Sequence, residues 1–138
     1  MRVVLDTNIL ISACWKADGL EDRVVKLGLE GRFEIITSPD LWDEYRDVLN
    51  RAKFARQRDR IDTLLAALEA KALRFTPQER LNLASDEDDN RILECALAAN
   101  ASYIVTGNLR DFPAQWAPSR IVNARQFLDA TGYSSQGK

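Results

Sequence analysis

The chain has 138 residues and contains no histidine. This excludes a catalytic triad of the Ser-His-Asp type, a ribonuclease mechanism that uses two histidines, and a zinc site with histidine ligands. Any catalysis has to come from carboxylates, from Lys, Ser or Thr side chains, or from a bound metal ion. The acidic residues are therefore the first place to look for chemistry.

Cysteines and long apolar runs are also scarce. Cys14 and Cys95 are the two cysteines, and neither belongs to a CxxC or CxxH pattern, so we expect reduced thiols in the core of a cytoplasmic protein. No run of 18 apolar residues occurs, and Asp6 interrupts the first apolar run too early for a signal peptide. We therefore expect a cytoplasmic protein without membrane contact, folded as a single domain over residues 1–132 with a flexible tail at 133–138.

The formal net charge is only −2. Charge of this size gives no global attraction to nucleic acid or to an anionic membrane. A polyanionic partner would therefore have to be held by a local basic patch or through metal ions.

Short β-branched segments alternate with segments of helical period. Helices are predicted over residues 9–15, 19–30, 40–50, 87–100 and 124–131, and residues 53–71 carry a further apolar stripe at helical spacing. Strands are predicted at residues 2–5, 33–37, 72–75, 102–105 and 120–122. This alternation predicts an α/β fold with a parallel sheet covered on both faces, in which functional groups gather beyond the carboxyl ends of the strands. Those positions are Asp6, Thr37-Ser38, Thr76 and Thr106-Gly107-Asn108.

The predicted helix at residues 40–50 carries one acid toward the core. At about 100° per residue, Glu44 falls at the edge of the apolar stripe formed by Leu41, Tyr45 and Val48. The three aspartates of this helix point to the opposite side. Glu44 is therefore the candidate functional acid of this segment.

The helix at residues 87–100 shows the same feature. Asp89 shares the stripe of Ile92, Leu93 and Ala96. The acids that precede it, residues 86–88, have two open interpretations. They either cap the helix and meet its dipole, or they belong to the same site as Asp89.

An ionised carboxylate at an inward position is unfavourable by several kcal/mol unless it is paired or bound to metal. Neither apolar stripe supplies a Lys or Arg partner, and Asp6 follows the first strand as a third acid. Asp6 alone would equally well cap the helix that begins at Thr7. Taken together, Asp6, Glu44 and Asp89 suit Mg²⁺ or Mn²⁺, which prefer oxygen ligands and activate water without a protein base.

Three segments resemble the motifs of PIN-domain nucleases, a family that includes the toxins of bacterial toxin-antitoxin pairs. The first is the opening VVLDTNIL at residues 3–10, and the second is Ser38-Pro39 followed by Glu44. The third is the acidic segment DEDDNRILECALAA at residues 86–99, followed by YIVTG at 103–107. The resemblance covers most of residues 2–112.

The resemblance implies a three-layer α/β/α sandwich with a mainly parallel five-stranded sheet. It also implies divalent-metal-dependent cleavage of single-stranded RNA, with Mg²⁺ or Mn²⁺ as cofactor, and a toxin role with a small antitoxin as partner and a homodimer as assembly. Metal-ligand and catalytic roles carry over to Asp6, Glu44 and Asp89. Supporting roles carry over to Thr7, Asn8, Asp86 and Thr106.

The sequence departs from the family at Asn108, where many PIN nucleases carry an acid. An amide oxygen can coordinate a metal ion but brings no negative charge. Asp111, three residues on, is either a substitute for that acid or an ordinary loop residue before Phe112. The alternative function is therefore a catalytically weak or inactive PIN scaffold that binds RNA or a protein.

Five cations and one acid fall between residues 51 and 60. The cations are either a solvated face or an RNA-binding surface that holds the phosphate backbone; they are Arg51, Lys53, Arg56, Arg58 and Arg60. The tryptophans either stack on bases or fill the core, and Trp116 in its Pro-flanked loop is the favoured stacking candidate.

Overall fold

The computed structural model describes residues 1–84, 86–116 and 118–133, so residues 134–138 of the expected tail lie outside the described part. The described strands are Arg2–Leu5 (β1), Glu34–Thr37 (β2), Leu73–Arg74 (β3), Tyr103–Val105 (β4) and Arg120–Val122 (β5). The described α-helices are Thr7–Trp15 (α1), Leu20–Leu29 (α2), Pro39–Leu49 (α3), Arg58–Lys71 (α4), Glu87–Ala99 (α5) and Ala124–Thr131 (α6).

The strands form one parallel sheet in the order β3-β2-β1-β4-β5. The predicted α/β fold with a parallel five-stranded sheet is therefore confirmed. The chain builds β1, β2 and β3 toward one edge and then returns to place β4 on the other side of β1. Such a reversal opens a crevice at the carboxyl ends of the two strands between which it occurs, here β1 and β4.

The centre of the sheet is covered on both faces. Val3, Val4 and Leu5 of β1 are all fully buried, although neighbouring side chains of a strand point to opposite faces. Helix α5 packs on β1, β2 and β4, α2 packs on β2, and α6 packs on β4 and β5. The apolar runs in these strands are therefore explained by burial on two sides.

Several helix ends follow from local sequence. Ser38 is the N-cap of α3 and accepts a hydrogen bond from the Leu41 amide at 3.2 Å, with Pro39 in the first turn. Asn123 and Gln126 form a capping box at α6. Asn100 ends α5 in the left-handed conformation.

The segment at residues 53–71 is not helical throughout. Helix α4 begins only at Arg58, and Ala52–Gln57 form a 3₁₀ helix that bends at Phe54. The bend allows the Phe54 side chain to be buried. At the edge of the sheet, β3 has two residues and both are exposed, which explains its weak apolar signal.

Both cysteines are buried and free, as expected. In the described parts of the chain, no helix has the length and apolar character needed to cross a bilayer.

Gly28 allows α2 to lie close to β2. A Cβ atom there would be 2.6 Å from Ile35 Cδ1 and 3.0 Å from Phe33 Cε1. We expect Gly28→Ala to destabilise the protein by about 1 kcal/mol in urea denaturation, because overpacking outweighs the gain in helix propensity. Ile35→Ala removes both atoms of Ile35 that this Cβ would overlap, Cδ1 at 2.6 Å and Cγ1 at 2.7 Å, so the double variant should lose less stability than the two single changes added together. Simple additivity would contradict the close contact.

Candidate functional site

Asp6 lies at the carboxyl end of β1, in the crevice between β1 and β4. It is only 5% exposed, and its side chain makes no capping hydrogen bond to α1. Thr106 Oγ1 and Asn8 Nδ2 donate instead to the same carboxylate oxygen, Oδ2, at 2.7 and 3.1 Å. Neither donor uses the second oxygen. Asp6 stands at the N-cap position of α1, but its carboxylate is held in place by residues that follow both strands.

The loop after β4 completes this arrangement. The Gly107 amide donates to Asn8 Oδ1 at 2.9 Å, and the Asn108 amide donates to Thr106 Oγ1 at 3.0 Å. Asn8 and Thr106 are thus fixed by the backbone of this loop while they donate to Asp6. Residues almost 100 positions apart in the chain determine the orientation of one carboxylate.

Glu44 is half-buried on α3, while the three aspartates of that helix are exposed, as the helical phase predicts. Thr7 Oγ1 donates to Glu44 Oε2 at 2.5 Å. Burial is the main cause that raises the pKa of Glu44 to about 7; the hydrogen bond from Thr7 lowers it, and the negative charges of Asp88 and Asp6 raise it. Glu44 therefore faces both the end of β1 and the first turn of α5.

Asp89 is half-buried on α5, again in agreement with the helical phase. Burial, followed by the charges of neighbouring acids, raises its pKa to about 7; these acids are Asp6, Asp86, Asp111 and Glu44. Burial also raises the pKa of Asp6, despite the hydrogen bonds from Thr106 and Asn8. The three predicted acids thus repel one another at a single site.

This donor set fits a hard divalent cation. Its carboxylates are partly or wholly buried, and each repels the others. The fit is one of charge and donor type only: within residues 1–84, 86–116 and 118–133, no three acidic or cysteine side chains are arranged to hold a metal ion, so these acids would have to move closer together to share one.

Asn108 and Asp111 differ in their exposure and in their effect on these acids. Asn108 is exposed, and its backbone amide donates to Thr106. Asp111 is half-buried, and its charge raises the pKa of both Asp6 and Asp89. This supports the interpretation that Asp111 provides the negative charge that Asn108 lacks.

Residues 86–88, at the start of α5, were expected either to cap the helix or to belong to the same site as Asp89, and they do not all behave alike. Asp86 is the N-cap and accepts from the Asp88 amide at 2.9 Å, while its charge also acts on Asp89. Glu87 is exposed and pairs with Arg91 at 3.3 Å. Asp88 lies against Glu44. Capping therefore explains Asp86, but not the position of Asp88.

Sequence reasoning missed Asn90 and Glu94, both buried on α5. Asn90 Oδ1 accepts from the amides of Leu83 and Ala84 at 2.9 and 2.8 Å, and Glu94 Oε2 accepts from the Leu81 amide at 2.7 Å. These bonds fix the segment that leads into the acidic end of α5. The signal for Glu94 was an acid within the apolar run at residues 92–97.

The apolar stripe of α5 supplies no cation to Asp89, but a partly buried cation lies elsewhere on this helix. The Arg91 side chain is only 16% exposed and pairs with Glu94 at 2.8 Å. Arg80 adds a contact to Glu94 at 3.4 Å and one to Asp40 at 3.1 Å. A buried ion pair therefore exists on α5, but its acid is Glu94 rather than Asp89.

The five basic residues differ in their contacts. Arg51 lines an open groove of about 430 Å³ together with Glu44 and Asp88, and it pairs with Asp47 at 3.5 Å. Arg58 pairs with Asp62 at 3.0 Å. The remaining three lie around the end of α1 and the 3₁₀ helix: Lys53, Arg56 and Arg60.

Comparison with known proteins gives a family and a fold. A sequence model described as "PIN domain" matches residues 2–110. An uncharacterized protein of Methanocaldococcus jannaschii is 29% identical over 111 residues, which cover 78% of this chain and 71% of that protein.

Among solved structures, the chain is similar to the crystal structure of VapBC2 from Rickettsia felis bound to a DNA fragment from their promoter. The TM-score is 0.57 with 18% sequence identity, and the match covers 88% of this chain and 98% of the other. A likeness over this share of both chains shows that the two share a fold.

Proposed function

The chain belongs to the PIN domain family, whose members are generally nucleases, and from this premise we propose that it is a divalent-metal-dependent endoribonuclease acting on single-stranded RNA. The observation that carries the proposal is the buried Asp6 carboxylate, which Thr106 and Asn8 hold by one oxygen among further carboxylates. Such a cluster is unfavourable for stability, and a bound cation would relieve the repulsion.

Asp6, Glu44 and Asp89 would hold Mg²⁺ or Mn²⁺. The bound ion would orient a phosphodiester group and lower the pKa of an attacking water. Thr106 and Asn8 fix the rotamer of Asp6, and Thr7 fixes that of Glu44. Asp86 and Asp111 contribute negative charge at the same site, and Asn108 supports it through its backbone.

The direct test is an RNA cleavage assay with purified protein. We expect unstructured RNA to be cleaved in Mn²⁺ or Mg²⁺, and cleavage to stop when EDTA is added. RNA that is bound but not cleaved in either metal would reject the nuclease and favour the alternative of a non-catalytic scaffold. The neutral Asn108 would then explain why the site is inactive.

The raised pKa values make metal binding and stability depend on pH. Glu44 and Asp89 titrate near 4 when unfolded but at about 7 in the fold, so the folded state holds more protons between these values. Without metal, the contribution of these groups to stability therefore falls as the pH rises from about 4 to about 7.

We expect Mn²⁺ to raise the melting temperature by about 5 °C or more at pH 8, at a metal concentration roughly 100-fold above its Kd. At pH 5.5 the increase should be much smaller, because protons occupy the ligands. Melting curves by circular dichroism at the two pH values measure the difference. Asp89→Asn should reduce the response to Mn²⁺ at pH 8, and an equal response at both pH values would contradict the proposed ligands.

We also propose the role of a toxin with a small antitoxin partner, and a homodimeric assembly, supported by the fold shared with VapBC2. Co-expression with a small protein encoded nearby, followed by light scattering, tests both. The buried free thiols of Cys14 and Cys95 support a cytoplasmic location.

A further inference from the structure

Trp15 is a large exposed aromatic residue at the end of α1. It is 54% exposed, whereas Trp42 is buried and Trp116 is half-buried. Its ring packs against the ring of buried Phe54, with centroids 6.4 Å apart and an angle of 69° between the planes. The indole is thus supported from one side while much of it remains in contact with solvent, which suits a stacking platform better than the loop residue Trp116 does.

Two cations lie near this pair of rings. Lys53 Nζ lies 5.3 Å from the centroid of the Phe54 ring. Arg60 Nη2 donates to the Ala13 carbonyl at 2.9 Å, which places a guanidinium at the same end of α1. Among the described residues, exposed Lys53 and Arg56 form no ion pair with an acid. An exposed aromatic ring beside such cations is complementary to a single-stranded polyanion with flat bases.

The exposed face of α1 connects Trp15 to the acidic site. Asn8, Ser12 and Trp15 follow one another at steps of three or four residues and therefore share a helix face. None of the three is buried, while Thr7, Ile9, Leu10, Ala13 and Cys14 are. Asn8 itself donates to Asp6. The face runs about 10 Å along the helix, from a residue of the acidic site to the exposed indole.

We propose that Trp15 is a base-stacking subsite for single-stranded RNA that lies along this face of α1, with Lys53 and Arg56 contacting its phosphates. The proposal rests on the proposed function, since the strand bound here is the one presented to Asp6. Stacking on an aromatic ring tolerates every base, so this subsite contributes affinity and register without sequence preference. Within the basic segment, we expect Lys53 and Arg56 to contact phosphate rather than Arg58, because Arg58 pairs with Asp62.

Binding is measured by fluorescence anisotropy with labelled oligouridylate and oligoadenylate in EDTA, where metal-dependent cleavage is absent. We expect Trp15→Ala to weaken binding about 10-fold for both oligonucleotides, and Trp15→Phe to retain most of the affinity. Leu73→Ala removes another exposed apolar side chain, at the edge of the sheet, and should leave the affinity unchanged. Equal affinities of the wild type and Trp15→Ala would overturn the subsite.

Two further readouts separate stacking from a general surface effect. Saturating unlabelled RNA should quench tryptophan fluorescence of the wild type, and Trp15→Phe should lose most of that quenching. Lys53→Ala with Arg56→Ala should weaken binding and reduce the slope of log Kd against log salt by about one or more. An unchanged slope would show that these cations do not contact phosphate and would overturn their part of the proposal.

The outcomes distinguish this inference from the function on which it rests. RNA binding that depends on Trp15 in a protein that cleaves nothing would support the subsite and reject the nuclease. Cleavage by the wild type with full RNA affinity in Trp15→Ala would reject the subsite alone. If Trp15→Ala changes only self-association in light scattering, the exposed face is an interface between copies of the chain and the inference is wrong.

Discussion

Asp6→Asn is expected to reduce RNA cleavage by more than about 100-fold while the protein remains folded. Substituting a residue that only orients a metal ligand already lowers activity or metal affinity by about 10- to 100-fold, and Asp6 is proposed as the ligand itself. The amide oxygen of Asn can occupy the position of Oδ2 and accept from both Thr106 and Asn8. The substitution therefore removes charge while it keeps the side-chain volume and both hydrogen bonds.

Cleavage is measured on the same unstructured RNA in Mn²⁺, with a melting curve for each variant. Asp89→Asn should show a comparable loss, and Asp129→Asn, an exposed acid on α6, should cleave like the wild type. Since Asp6 lies buried among other acids, Asp6→Asn should melt at least as high as the wild type in EDTA at pH 8. Activity of Asp6→Asn within a few-fold of the wild type would place the chemistry elsewhere.

Arg91→Met is expected to have the largest effect on stability, about 3 kcal/mol in urea denaturation. Glu94 is only 2% exposed, and Arg91 is its nearest cation at 2.8 Å. The substitution leaves a buried carboxylate with the longer Arg80 contact and the Leu81 amide. Because the same network fixes the segment before α5, the loss should also loosen the acidic end of that helix.

The double variant Arg91→Met, Glu94→Gln should recover much of the lost stability, because Gln is neutral and its oxygen still accepts from the Leu81 amide. Arg32→Met provides the matched control, since Arg32 and Glu30 form an exposed pair at 3.8 Å. That control should change stability by less than about 0.5 kcal/mol. If the two arginine variants are equally stable, the buried pair does not anchor the segment.

The two predictions separate the parts of the site. Asp6 belongs to the groups that would act on a substrate, whereas Arg91 and Glu94 act only by fixing the backbone before α5. Asp6→Asn is expected to lose activity without losing stability, whereas Arg91→Met is expected to lose stability first and activity only as far as the acidic end of α5 is loosened. Measuring both quantities on both variants therefore tests the division of roles between the acids of the crevice and the buried ion pair.

The sequence by itself determined the features that depend on local geometry. Strand and helix alternation, the Ser38 cap and the inward direction of Glu44 and Asp89 follow from residue periods of about 2 and 3.6, which neighbouring residues express without knowledge of the rest of the chain. The absence of histidine likewise limits the chemistry to carboxylates, Lys, Ser or Thr side chains, or a bound metal ion, because composition does not depend on how the chain folds.

Only the tertiary structure decided what depends on contacts between distant segments. The sheet order brings Thr106 next to Asp6. The fold also directs the Glu94 side chain toward Arg91, with which it forms an ion pair, rather than toward the acidic site. It also places the charge of Asp111 near Asp6 and exposes Trp15 rather than Trp116. Loops and 3₁₀ segments have no residue period that reveals their direction, so the positions of their side chains are fixed by the packing of the whole chain.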